Sequence, residues 1–427
     1  MAIFYLFIGL LALTMIDVPI AVGLGVVAVI GIIIMHGVSS LPNVAMGMYH
    51  GATNFPLLAI PLFVLAGAIM NSSGISRRLI AFVSSLFGFV RGGLAFVTIG
   101  SSMVFAEISG SAVADVAALG SILIPAMQRK GYPTPFAAAV MSSSATLAVI
   151  IPPSIPMVIY AVIANTSVVK LFVAGIVPGL LGGLLLMGAA YWFAVRNNYP
   201  IEERFQFSQV WRTFKEASWS LVLPAVVLGS IFGGIVTATE GAGIAVLAAL
   251  VLGLLVYREL DLAHLKEAMI DGAVQTSVVM LLVASSAVIG AFLSELQAPQ
   301  QLATSMSSFT NNKYLILLML NFLFLFLGLF LHSAAAIVLV VPIIMPLVIA
   351  TGIDPVHFGL IVTINLGIGQ QTPPVASVLM TSCAIAKADI WEVSRVNIWF
   401  ILVLVFVLLL CTYVPFVPMA LVNYFYH

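Results

Sequence analysis

Two proline pairs, Pro152-Pro153 and Pro373-Pro374, interrupt long apolar segments 221 residues apart. Proline has no N–H to donate and clashes with the turn before it, so each pair ends one helix and starts another. The stretches that hold them, SSSATLAVIIPPSIP (Ser142 to Pro156) and INLGIGQQTPPVAS (Ile364 to Ser377), are both small and polar. The same offset carries Pro125 to Pro346, Gly131 to Gly352, and the serines around Ser111 to His332 and Ser333. This pattern predicts a duplication: a first repeat over 1–195, a linker over 196–216 and a second repeat over 217–427.

Composition identifies the solvent. Of 427 residues, 62% are apolar and 7% charged, and apolar runs long enough to cross a hydrocarbon core of about 30 Å recur throughout. The expected fold is all-α and polytopic, embedded in a lipid bilayer. The N-terminus has no basic n-region and runs into further apolar sequence, so it reads as a retained span and not a signal peptide. A formal net charge of zero gives no sign of a nucleic-acid partner. Cys383 and Cys411 lie in apolar segments and read as small core residues.

Each repeat predicts the same series. The first has spans at Met1–Ile16, Val18–His36 and Phe55–Met70, an arm helix over 76–91, a hairpin over 92–128, a broken helix over 134–165 and a span from Leu171 to Val195. The second has spans at Ala217–Val236, Glu240–Tyr257 and Gly272–Ser294, an arm helix over 298–312, a hairpin over 313–348, a broken helix over 354–386 and a last span to Val414. A turn at Asp17 separates the first two spans. The first arm helix, between Arg77 and Arg91, is too short to span, and its arginines place it on the cytoplasmic face. Its counterpart, Ala298 to Asn312, has no Lys or Arg. Equivalent points therefore lie on opposite faces, which makes this an inverted-topology repeat with two re-entrant hairpins, two broken transmembrane helices, a cytoplasmic linker and both termini outside.

Non-helical backbone at membrane depth survives only inside protein or along a wet cavity. Helices that start after Ser111, Pro153, His332 and Pro374 aim free N–H groups at such a cavity and suit an anion. Helices that end before Ser109 and at breaks over Ser142–Thr146 and Asn365–Gly369 offer carbonyls and hydroxyls, which suit Na⁺ better than a proton because no chain of intramembrane acids is present. Several residues carry two readings. Ser142, Ser143 and Ser144 either pack helices closely or line a site, and the matched break favours the site. Asp115 is either a helix-start charge or a ligand, and His332 is either a satisfied polar residue or part of a site. Glu107 reads as a buried functional acid, Thr237 to Glu240 as a capping box and Asp354 as a cap.

There is no phosphate-binding G-x-x-x-x-G-K-[ST] loop and no metal-spaced Cys/His cluster. An intramembrane serine hydrolase using His332 and Asp115, and a channel, are the rival classes. Symmetric pairs of polar positions favour a carrier over an enzyme.

The segments FAEISGSAVADVAALGSILIPAM, IIPPSIPMVIYA, LLAIPLFVLAGAIMNSSGISRRLI with RGGLA, and GQQTPPVASVL together resemble the large membrane subunit of tripartite ATP-independent periplasmic (TRAP) transporters, over essentially the whole chain. The resemblance implies an elevator-type, Na⁺-driven symporter of carboxylate-bearing solutes in the bacterial inner membrane. It also implies two partners: a small four-helix membrane subunit, and a periplasmic substrate-binding protein that delivers the organic anion. Carried over, one sodium site falls on Ser109, Gly110, Ser111 and Asp115 with Ser143, Ser144 and Thr146. The other falls on Ser333 and Ala334 with Gly367, Gly369 and Thr372. Substrate contacts are expected at Ser111, Ser144, Ser154, Asn365 and Gln371. The second tip often carries an aspartate in this family; His332 stands near that place here, so backbone oxygens would have to serve. The sequence is most similar to the sialic-acid branch, with a C4-dicarboxylate or another organic acid as the alternative cargo.

Overall fold

Backbone groups in hydrocarbon must bond within their own segment, and the chain meets that condition with helices. The computed structural model describes residues 9, 12–13, 16, 18–201, 205–298, 300–301, 310 and 312–426, and the backbone alone of residues 107–109. The expected first span is described only at isolated positions. The Asp17 turn, the Glu107 side chain and most of the arm helix over 298–312 lie outside the described residues.

In chain order the helices are α1 (Ile20–His36), α2 (Leu41–Ala52), α3 (Ala59–Ser72), α4 (Ile75–Phe87), α5 (Gly93–Ser109), α6 (Ala112–Arg129), α7 (Thr134–Ala145), α8 (Leu147–Ile150), α9 (Ile155–Ile163) and α10 (Val168–Arg196). Then follow α11 (Phe207–Phe232), α12 (Ala238–Val251), α13 (Leu262–Glu295), α14 (Lys313–Gly328), α15 (Ser333–Ala350), α16 (Pro355–Gly369), α17 (Ser377–Ala386), α18 (Ile390–Tyr413) and α19 (Phe416–Phe425). Among the described residues, nine helical stretches are long and apolar enough to cross a membrane. The order hairpin, broken helix, long helix occurs twice, as α5 to α10 and as α14 to α18.

The caps act as the sequence predicts. Asp354 Oδ1 accepts from the N–H groups of Val356 (2.7 Å) and His357 (3.1 Å), and Thr237 and Glu240 exchange the two bonds of a capping box. Two boundaries differ from expectation. The linker is not wholly irregular: α11 begins at Phe207, ten residues before the expected span, and carries Trp211 and Trp219 on its exposed side. Likewise α13 starts at Leu262, where Asp261 caps His264 N–H at 2.7 Å, so a polar first section precedes the apolar one. In both cases polar residues continue a helix past the hydrocarbon edge, where hydropathy alone sees an end. The sequence reading also missed α2, which is mostly exposed and interrupted by glycines.

The helices pack in two groups. α1, α2 and α3 pack on α13, α3 also packs on α12, and the arm helix α4 packs on α11. The hairpins, the broken helices, α10 and α18 form the second group, with α18 and α17 on α7, α14 on α16, and α9 on α15. An aromatic cluster ties α7, α10 and α18: Phe193 and Phe400 stack at 5.7 Å, and Phe136 sits 4.9 Å from Tyr199. Contact between the groups runs mainly through α4 and α3 on α5 and through α13 on α15.

At one end of the first group, Glu259 holds Arg77 (2.6 Å) and Arg78 (2.5 Å), and the Arg78 guanidinium lies 3.9 Å from the Tyr257 ring centroid. The hydrogen bond from Arg78, aided by both positive charges, keeps the Glu259 carboxyl below its usual range. A depressed folded pKa stabilises fully above the ordinary carboxylate value of about 4.3 and fades as pH falls through the lowered value. Because the pair is partly exposed, its worth is at most about 1 kcal/mol. Glu259→Gln is expected to lower the melting temperature slightly at neutral pH, with the two proteins converging under stronger acid. A gap that stayed constant across the acid range would refute the assignment.

Candidate functional site

Each hairpin turn is tied to the break of its own repeat. In the first, α5 ends at Ser109, Gly110 takes a left-handed φ of +58°, Ser111 is extended and α6 begins. Gly110 accepts from Ile155 N–H at 3.3 Å, and a Cβ at Gly110 would lie 2.9 Å from the Pro153 carbonyl oxygen. Glycine is required there twice over, by conformation and by space. In the second, α14 ends at Gly328, Leu329 accepts from Val375 N–H at 3.2 Å, and the Gln370 amide donates to Ser333 Oγ. Both Pro-Pro bonds are cis.

The breaks sit later than the sequence suggests. Ser142 to Ala145 remain helical, Thr146 interrupts, and the unwound stretch is Ile151 to Ser154. Asn365 to Gly369 also remain helical, and the unwound stretch is Gln370 to Ala376. The reason is local. Ser144 donates to the Val140 carbonyl and Thr146 to that of Ser142 (3.3 Å), so these hydroxyls bond back along the helix and do not open it. Proline does the breaking.

Both tips open on one cavity of about 580 Å³. Gly110 to Ala112 and His332 to Ala335 form one side, with Val149, Ile155 and Gln370; Ala21 and α13, from Val274 to Leu282, form the other. Among the described residues, no Asp, Glu, Lys or Arg lines it. The N-termini of α6, α9 and α15 reach the cavity, so its fixed positive character comes from helix ends.

Of the sequence-predicted residues, Gly110, Ser111, Ser333 and Ala334 line this cavity. Asp115 is fully buried on α6, and Ser109 is placed by its backbone alone. The remainder lie deeper, between the two broken helices. Ser143 Oγ is 2.9 Å from Gln371 Oε1 and 2.6 Å from Asn397 Oδ1, while Asn397 Nδ2 donates to the Gln371 carbonyl at 3.1 Å. Thr146 Oγ1 reaches the Gly367 carbonyl at 3.5 Å, a contact between positions 221 apart. Ser154 donates to Val149 O (2.8 Å), Thr372 to Ile368 O (2.9 Å), and Asn365 to Asn321 Oδ1 (2.7 Å) and Ile361 O (2.8 Å). Gly369 packs on Gly328, so it serves a close approach of two backbones. The structure thus joins Ser143 to Gln371 and Gly367 to Thr146. Ser142 Oγ and Asn365 Oδ1 are enclosed and have no hydrogen-bond partner among the described residues. Spare buried oxygens of this kind fit a hard cation.

Sequence reasoning missed Asn321, Asn397 and Gln275. Asn321 and Asn397 are buried amides inside helices, a costly placement that signals a partner, while Gln275 is an exposed amide beside Thr276 and Ser277.

Re-entrant hairpins docked on Pro-broken helices around a shared cavity define a membrane carrier. Residues 7–417 match the family described as "Tripartite ATP-independent periplasmic transporter, DctM component", and the chain belongs to that family. It is 40% identical over 410 residues to the isethionate TRAP transporter permease protein DctMQ of Oleidesulfovibrio alaskensis, covering 95% of this chain and 64% of that relative's length. It is 37% identical to the C4-dicarboxylate TRAP transporter large permease protein DctM of Pseudomonas aeruginosa, covering 86% of each. It is 38% identical to the sialic acid TRAP transporter large permease protein SiaM of Vibrio cholerae, covering 79% of each. In fold it is similar to the crystal structure of the Alcanivorax borkumensis YdaH transporter, with a TM-score of 0.64 at 15% identity over 89% of this chain and 90% of that one.

Proposed function

We propose that the chain imports an organic acid across the bacterial inner membrane, driven by Na⁺, as the large subunit of a three-part system. The observation that carries this reading is the docking of each hairpin turn on its own repeat's break, with both tips on one cavity. Helix N-termini there suit an anion, while the carbonyls at the ends of α5 and α16 and the spare oxygens of Ser142 and Asn365 suit sodium. Ser111, Ser333, Ala334 and Thr372 remain our candidates for contact with ion or substrate. The second helix group is the moving unit and the first the frame, because contact between them is narrower than within each. A small membrane subunit and a periplasmic binding protein complete the system. The relatives are named for isethionate, C4-dicarboxylate, sialic acid and 2,3-diketo-L-gulonate, whose shared chemistry is a small organic anion. Sialic acid is one candidate within that class.

The test is uptake in proteoliposomes containing both partners. An inward Na⁺ gradient is expected to be required, and Ser111→Ala is expected to weaken Na⁺ dependence. Uptake that persists without Na⁺ and follows a proton gradient or ATP would overturn the coupling.

A further inference from the structure

The cavity exposes two polar side chains that the fold does not use. His332 precedes α15 and faces the cavity, and its imidazole makes no hydrogen bond, ion pair or ring contact among the described residues. Gln275 faces the same cavity from α13 in the other helix group, and its amide is equally without a hydrogen-bond partner among the described residues. An amide and an imidazole both donate and accept, so each can meet a hydroxyl, a carbonyl or a sulfonate oxygen. They approach from opposite sides, one on the helix that follows the second tip and one on the frame.

The rest of the lining limits charge. With no Lys or Arg among the described lining residues, the positive character that the protein itself offers an anion is the partial charge at helix ends. One anionic group can sit there. A second, at the far end of a short dicarboxylate, would be desolvated against Val274, Val278 and Leu282 with no countercharge.

We propose that the cargo is an organic monoanion whose uncharged polar groups are read by His332 and Gln275. The proposal rests on the import reading above and narrows it. As the second group moves, contact to His332 travels with the cargo and contact to Gln275 is released, so Gln275 acts on entry affinity and not on passage.

The experiment uses the full chain with its small membrane subunit in nanodiscs at saturating Na⁺. Thermal stabilisation is titrated with isethionate, N-acetylneuraminate, 2,3-diketo-L-gulonate and succinate. At least one monoanion is expected to bind more tightly than succinate. Gln275→Leu and His332→Phe are each expected to raise its half-saturation by about three- to tenfold, the worth of one hydrogen bond, while His332→Gln restores most of the loss. Should His332→Phe fail to fold, His332→Gln and Gln275→Leu still decide. Succinate binding as tightly as every monoanion, unchanged half-saturation in Gln275→Leu and in the folded His332 variants, or binding of none of the four would each overturn the proposal. Failure of the import reading shows separately, as uptake indifferent to Na⁺.

Discussion

Gly369→Ala is expected to abolish uptake and destabilise the protein by about 1–3 kcal/mol or more, the usual cost of forcing atoms into a filled interior. A Cβ at Gly369 would overlap the backbone of Gly328, and a Cβ at Gly328 would lie 2.9 Å from Gly369 Cα. Neither neighbour is a side chain that can swing aside. The second hairpin would have to lift off the end of α16, taking Ser333 away from Gln370 and Leu329 away from Val375. Gly290→Ala serves as the control, because a Cβ there meets nothing within 4 Å. It should keep uptake and gain a few tenths of a kcal/mol from helix propensity. Equal behaviour of the two variants in melting and in uptake would sink the close-packing argument.

Asn397→Leu is expected to be nearly as severe. Asn397, Ser143 and Gln371 are all within 1% of full burial and hydrogen-bond one another, with Gln371 Nε2 alone of their side-chain polar atoms left without a partner among the described residues. Leucine would strand the Gln371 carbonyl, with about 1–3 kcal/mol lost for each buried group left unpaired. Ser143→Ala should cost about 1 kcal/mol, because Asn397 still donates to Gln371 Oε1 at 3.3 Å. The order of melting temperatures should be wild type, Ser143→Ala, Asn397→Leu. The reverse order for the two variants would show that these residues do not act as one network.

How much of this was legible in the sequence depends on what kind of signal each element carries. The paired prolines marked both broken helices, whereas the single prolines Pro125, Pro178, Pro224, Pro342 and Pro346 lie inside helices. The tips at Gly110 and Ser333 were legible because small and polar residues interrupt apolar arms. Serine was read too strongly: Ser142 to Ser144 looked like a gap, yet Ser144 turns its hydroxyl back onto its own helix. The cavity's far wall stayed hidden for a different reason. Comparing the repeats pairs a position with its counterpart, and Gln275 lines the same cavity as His332, which is not its counterpart. Asn397 escaped in the same way, since its value lies in Ser143 and Gln371, more than 250 residues and 26 residues away respectively.

The contact of Thr146 with Gly367 bears on ancestry. Two residues that hold the same place in paired repeats meet only on the axis that relates them. In an ancestral pair of identical chains, one residue type would have met itself at that point. Two threonines would collide, since a Cβ on Gly367 already comes within 2.9 Å of the Thr146 methyl. Two glycines would leave the space of that methyl empty. After the gene was doubled and joined, one copy could keep bulk while the other gave it up, an unequal pairing that two identical chains cannot hold on their axis.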